Sequence, residues 1–229
     1  MQLLKKGAGA LGGDCLLCGA PSGDAPVCPR CDLALVHLGT ACPRCALPMP
    51  RSESCGHCLR RPLAVDGATA VFEYRFPLDR VLVRFKFAGD LAAGRWLGER
   101  LADAVADAPA PDLIVVPPIE ATRLKQRGFN QALEIAKVVA ARRGLALDRD
   151  AIRRIRSAPP QSTLGGLERR RNLRDAFSCR PRLDGLRVAI VDDVMTTGAT
   201  IDAVARAVRA AGAGRVDAWA VARTPEPGD

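Results

Sequence analysis

Residues 188–200 read Val-Ala-Ile-Val-Asp-Asp-Val-Met-Thr-Thr-Gly-Ala-Thr, and this run constrains the fold more than any other part of the chain. Its first four residues are apolar and mostly β-branched, which suits a parallel strand buried on both faces. Two carboxylates, Asp192 and Asp193, follow at the carboxyl end of that strand, where open α/β sheets bind their ligands. Adjacent acids there can accept hydrogen bonds from vicinal hydroxyls. Thr196 and Thr197 then bring hydroxyls, and Gly198 lets backbone amides approach an anion closely. A helix opening near Ala199 and Thr200 turns its unpaired N–H groups and positive dipole end toward the same anion. A diol partner beside an anion cradle is the chemistry of a ribose phosphate. The plainer alternative, a strand-turn-helix with surface acids and a threonine-rich turn, leaves that order of residues unaccounted for.

The second constraint lies at the other end of the chain. Eight of the nine cysteines form four Cys-X-X-Cys pairs, Cys15 and Cys18, Cys28 and Cys31, Cys42 and Cys45, Cys55 and Cys58, while Cys179 stands apart. Two residues between sulfurs let a tight turn present both thiolates to one tetrahedral ion, and two such turns close a four-sulfur structural site. The clustering favours metal over disulfides, and zinc over iron-sulfur clusters, which thiolates also hold. Sequential pairing predicts one zinc on Cys15, Cys18, Cys28 and Cys31 and a second on Cys42, Cys45, Cys55 and Cys58. A cross-braced arrangement of alternate pairs is the rival, and His57 reads as a bystander. So short a segment has few apolar residues, and metal binding would supply the missing folding free energy.

From Asp66 onward the pattern changes to alternating strands and helices. Strands are expected over 68–75, 112–116, 188–191 and 215–221, and helices over 78–87, 95–105, 129–143 and 199–211. Strands separated by helices imply a parallel sheet flanked by helices. The 229 residues thus divide into a cysteine-rich double zinc ribbon, 1–62, and an α/β domain, 66–229. No apolar stretch approaches the roughly 20 residues that cross a bilayer, and the N-terminus lacks a signal-peptide core, so a cytoplasmic protein without membrane insertion is expected.

The formal net charge is +9, and residues 123–187 hold 17 basic and 6 acidic side chains. That excess suits a pyrophosphate, a nucleic-acid backbone or both, with a solvated basic surface as the alternative. Aromatic residues make up only 4% of the chain, which leaves few for a base-stacking platform.

The 188–200 run resembles the thirteen-residue signature of type I phosphoribosyltransferases. The resemblance implies that Asp192 and Asp193, the candidate catalytic residues, hold the 2'- and 3'-hydroxyls of phosphoribosyl pyrophosphate. The loop of Thr196, Thr197, Gly198, Ala199 and Thr200 would hold its 5'-phosphate. Further motifs are Arg-Gly-Phe-Asn-Gln at 127–131, Pro-Gln-Ser at 160–162 and Glu-Arg-Arg-Arg-Asn at 168–172. With the cysteine-rich start, they resemble in order the ComF (ComFC) family of phosphoribosyltransferase-like proteins associated with bacterial DNA uptake. The implied fold is a type I phosphoribosyltransferase-like parallel sheet behind a small zinc-ribbon domain.

By that resemblance, residues 117–127 form a pyrophosphate loop carrying Arg123, Lys125 and Arg127. Residues 156–177 form a flap whose Arg169, Arg170 and Arg171 clamp pyrophosphate or track single-stranded DNA. Lys86 is a candidate pyrophosphate contact or a surface lysine with its stem along a helix. The family shows a Val-Pro-Val-Pro-like stretch where this chain has Val-Pro-Pro-Ile at 116–119. Implied partners are phosphoribosyl pyrophosphate with magnesium, single-stranded DNA and DNA-uptake proteins, and no residue pattern names the acceptor or an oligomeric state. Two classes follow: a phosphoribosyltransferase, or a non-catalytic single-stranded DNA-handling protein that keeps the pocket for regulation or for a DNA end. Elemental analysis of the fully reduced chain should find two zinc ions, and one or none would overturn the two-site count.

Overall fold

The computed structural model describes residues 13–155 and 176–225. The chain opens with a two-stranded antiparallel pair, β1 (Gly13–Asp14) and β2 (Pro21–Gly23), and two short helices, α1 (Pro29–Leu33) and α2 (Gly56–Arg60). Then come β3 (Gly67–Glu73), α3 (Leu78–Ala88), α4 (Leu91–Ala104), β4 (Leu113–Val115), α5 (Ala121–Arg127), α6 (Gln131–Arg143) and β5 (Leu147–Asp148). An antiparallel pair, β6 (Ile152–Arg154) and β7 (Phe177–Cys179), precedes β8 (Arg187–Met195), α7 (Ala199–Ala210) and β9 (Arg215–Arg223).

The central sheet is parallel throughout, in the order β3-β9-β8-β4-β5. Its apolar run, Val188 to Val191, is at most 1% exposed, as a strand covered on both faces must be. Alternate residues serve opposite cores. Val188 and Ile190 join Ile201, Val204 and Val208 of α7, while Ala189 and Val191 join Leu97, Leu101, Ile135 and Val139 of α4 and α6. Close approach of α4 to α6 depends on Gly98, where a Cβ would lie 2.7 Å from Val138 Cβ and 3.2 Å from the Ile135 carbonyl oxygen.

The two ribbons sit on opposite faces of the sheet at its β3 edge. Cys15, Val27, Cys28 and Leu35 share a core with Phe72, Leu78 and Trp96. Cys42, Cys45, Cys55 and Cys58 share the other with Leu63, Val65, Met195 and Ile201. Between them the chain runs antiparallel along β3: His37 pairs with Phe72, Leu38 N–H donates to Val71 O at 2.7 Å, and Glu73 N–H donates to Val36 O at 2.9 Å. The double ribbon thus covers an edge that would otherwise present open backbone groups.

Several element bounds differ from the sequence expectations. The helix expected from Arg95 begins at Leu91, because Asp90 caps it by accepting from Ala93 N–H at 3.1 Å. The helix expected from Phe129 begins at Gln131, because Asn130 Oδ1 caps it by accepting from Ala132 N–H at 3.1 Å. The loop read over 117–127 contains α5, which stops where Gly128 takes a left-handed conformation (φ 79°). The strand expected to stop at Val191 runs on through both acids to Met195, since Asp192 and Val194 keep parallel register with Ala220 and Ala222. Among the described residues no helix is long and apolar enough to cross a membrane.

Candidate functional site

The two sulfur clusters have the pairing that adjacent motifs predict. Cys15, Cys18, Cys28 and Cys31 form one group and Cys42, Cys45, Cys55 and Cys58 the other, with the ligand atoms of each within 4.8 Å of one another. A tetrahedral ion with Zn–S bonds of about 2.3 Å requires sulfurs about 3.8 Å apart. Cys18 and Cys28 sulfurs lie at 3.8 Å and those of Cys45 and Cys55 at 3.6 Å, so the donor sets fit structural zinc. Burial opposes ionisation, yet backbone N–H groups outweigh it at two positions. Cys28 N–H donates to Cys15 Sγ at 3.3 Å and Cys55 N–H to Cys42 Sγ at 3.4 Å. Cys15 is thereby drawn down to about 6 and Cys42 to about 7, which favours the thiolate a metal needs.

The crevice follows from the sheet topology. From β4 the chain crosses through α6 to β5 on one side, and from β8 it crosses through α7 to β9 on the other. Strand order therefore reverses between β4 and β8, and the loops leaving their carboxyl ends diverge around a gap. Asp192 and Asp193 stand on the β8 side of it. Asp192 Oδ1 accepts from Asp193 N–H at 2.9 Å, and Asp193 Oδ1 accepts from Val194 N–H at 2.6 Å. Lys86 Nζ, from the last turn of α3, lies 2.8 Å from Asp193 Oδ2, and both side chains are largely covered, 19% and 16% exposed. Lys86 is thus drawn into the acid pair rather than laid along a solvent-facing helix. Burial and the charge of Asp193 push Asp192 up to about 7, against the Asp193 N–H and Lys86. A carboxyl group so poised can both donate to and accept from a hydroxyl.

Beyond the acids, Gly198 takes the left-handed conformation (φ 74°) and caps α7, whose first N–H groups have no intrahelical partners. Thr197 Oγ1 accepts from Ala199 N–H at 3.4 Å. Thr196 is exposed, and Thr200 is half-buried. A Cβ on Gly198 would meet Leu63 Cδ1 at 3.0 Å, so the segment just after the second ribbon braces this turn. Ala64 N–H adds a bond to Asp202 Oδ1, in the first turn of α7, at 2.8 Å.

The expected anion-binding cations do not behave alike. Arg123 and Arg127 lie four residues apart on one face of α5, whereas Lys125 is exposed on another. Arg123 pairs with Glu120 at 3.8 Å. Arg127 is half-buried, lies 4.9 Å over the Phe87 ring and donates to Gln131 Oε1 at 3.1 Å. Desolvation and the like charge of Arg123 pull the Arg127 guanidinium below its ordinary value, and Asp193 works in the opposite sense. Hence Lys86 pairs directly with Asp193, whereas Arg127 feels the charge of that acid at longer range and is held by Gln131 and Phe87. Arg169, Arg170, Arg171 and most of the expected flap lie outside the described residues.

Sequence reasoning passed over Phe87, which is 70% exposed beside these cations, and Arg223. Arg223 ends β9, is 8% exposed, and donates through Nε to Cys45 O at 2.9 Å and through Nη1 to Met195 O at 3.2 Å and to Thr196 O. A lone arginine at the end of a predicted strand carries no local signal of such contacts.

A double zinc ribbon domain model matches residues 10–59, and a phosphoribosyl transferase domain model matches residues 125–228. The DNA utilization protein YhgH of Salmonella typhi is 34% identical over 221 residues, covering 93% of this chain and 97% of that protein. Competence protein F of Haemophilus influenzae is 30% identical over 181 residues, 75% of this chain and 79% of its own. Competence protein ComFC of Bacillus subtilis is 26% identical over 194 residues, 80% and 78% respectively.

The raised Asp192 fixes a pH dependence. Between the ordinary carboxyl value of about 4 and about 7, the ligand-free folded chain holds a proton that the unfolded chain has released. Its contribution is complete at low pH and is lost as pH rises through that window. Asp192→Asn removes the titration, so the variant should gain stability relative to wild type as pH rises from about 4 to about 7 in thermal unfolding. A difference that stays flat across the window would contradict the burial of Asp192.

Proposed function

The chain belongs to the ComF family, and from that premise we propose that it binds phosphoribosyl pyrophosphate with magnesium in the crevice between β4 and β8 and transfers the phosphoribosyl group. Asp192 and Asp193 take the ribose 2'- and 3'-hydroxyls, and residues 196–200 take the 5'-phosphate through hydroxyls and the N-terminus of α7. Lys86 and Arg127 face the pyrophosphate, part of whose charge is neutralised by the magnesium it carries. The bond from C1 to pyrophosphate breaks, positive charge develops on the ring, and the acceptor bonds to C1; the protein positions the reactants and balances charge.

The observation that carries this reading is the 2.8 Å contact of Lys86 with Asp193 at the head of an anion-binding turn. It brings a cation to the acid pair that precedes the N-terminus of α7. The names of relatives, competence and DNA utilization proteins, support a task in DNA uptake. The basic excess in residues 123–187 favours the second reading, in which single-stranded DNA is the partner and the pocket regulates its handling or holds a DNA end.

Isothermal titration with phosphoribosyl pyrophosphate and magnesium, repeated with single-stranded DNA, tests both. Replacing Asp192 and Asp193 by Asn should weaken the sugar phosphate about tenfold or more, since removing a charged hydrogen-bond partner costs roughly 1.5–3 kcal/mol. Unchanged affinity in the folded double variant would remove the assignment. If DNA follows the basic stretch, replacing Arg169, Arg170 and Arg171 by Ala should flatten its salt dependence by about 0.7 in log–log slope for each phosphate no longer neutralised.

A further inference from the structure

Arg223 is the most buried cation among the described residues, and no carboxylate among them lies in ion-pair range of it. Its guanidinium bridges two separate structures. On one side Nε holds the carbonyl of Cys45, inside the second four-cysteine cluster. On the other, Nη1 holds the carbonyls of Met195 and Thr196, which lead from β8 into the 196–200 turn. Met195 is also fixed by Thr224 N–H, which donates to its carbonyl at 3.1 Å. Four thiolates around a divalent ion would carry net negative charge, a countercharge for a buried cation that has no carboxylate partner among the described residues.

The two residues that follow this ribbon hold the far end of the turn, where Leu63 packs on Gly198 and Ala64 N–H bonds to Asp202. The 196–200 turn is therefore held at its entry by the second ribbon through Arg223 and at its exit by the two residues just after that ribbon. The first four-cysteine cluster lies in the other core, on the opposite face of the sheet, without such anchors among the described residues.

We propose that Arg223 is a positioning residue that couples metal occupancy of the second ribbon to anion binding at the 196–200 turn, so that each ligand tightens the hold on the other. Such coupling is reciprocal by thermodynamic necessity. The inference rests on the reading of that turn as a phosphate site.

The test is release of zinc from the full chain to a chromogenic chelator, with and without phosphoribosyl pyrophosphate and magnesium. In wild type the sugar phosphate should slow release of one zinc severalfold and leave the other unchanged. In Arg223→Met that selective protection should vanish and sugar-phosphate affinity should fall about tenfold, with Arg223→Lys intermediate. Equal slowing of both ions, as general stabilisation would give, overturns the proposal. So does wild-type affinity with intact selective protection in Arg223→Met. The wild-type measurement decides the coupling even if Arg223→Met does not fold, and Arg223→Lys then tests the part Arg223 plays in it. Titration of wild type separates the two failures: absent binding removes the phosphate reading and the coupling together, whereas binding without selective protection removes only the coupling.

Discussion

The reversal of strand order at β8 is the constraint on which the remaining architecture depends. This strand is hydrogen-bonded to β9 on one side and β4 on the other, and its four apolar residues are sealed between helices on both faces. Parallel neighbours need crossovers, and these leave toward opposite edges, α7 to β9 and α6 to β5. A gap at the carboxyl ends is the geometric result. Because β8 continues past its apolar run, the two acids enter that gap on a rigid ladder rather than on a loop, with Ala220 and Ala222 as small neighbours. Burial then raises Asp192, and the long reach of Lys86 compensates Asp193.

The zinc ribbons are integral to this arrangement. Each contributes cysteines to one of the two cores, and the segment between them closes the β3 edge through backbone bonds at residues 36–38. Metal thus takes over part of the organising role that a hydrophobic core plays in a larger domain. Arg223 joins Cys45 of the second ribbon to the 196–200 turn, and Leu63 and Ala64, just after the ribbon, hold the other end of that turn, which ties the N-terminal part of the chain to its C-terminal signature.

Features whose chemistry is local were legible in the sequence. The Cys-X-X-Cys spacing yielded both sulfur groups and their sequential pairing, and the order strand, two acids, threonines, glycine, helix marked the crevice. Alternation of strands and helices pointed to the parallel sheet. Element ends were less legible where side chains cap them, as Asp90 and Asn130 do, and α5 was hidden in a segment read as loop. Long-range pairs left no trace. Lys86 and Asp193 are far apart in the chain, and whether such a lysine faces water or an acid is decided by how α3 packs. Arg223 reads as a polar strand end, although it joins two segments that are remote from each other in the chain.

The central claim is that the crevice holds a ribose phosphate with its diol on the acid pair and its phosphate on the α7 turn. A crystal structure of the full chain with phosphoribosyl pyrophosphate and magnesium tests this most directly. The 2'- and 3'-hydroxyls should then lie within about 2.5–3.0 Å of Asp192 and Asp193 oxygens, with the 5'-phosphate on backbone N–H groups of residues 196–200. A sugar phosphate bound elsewhere, or bound in the crevice with its diol turned away from both acids, would contradict it.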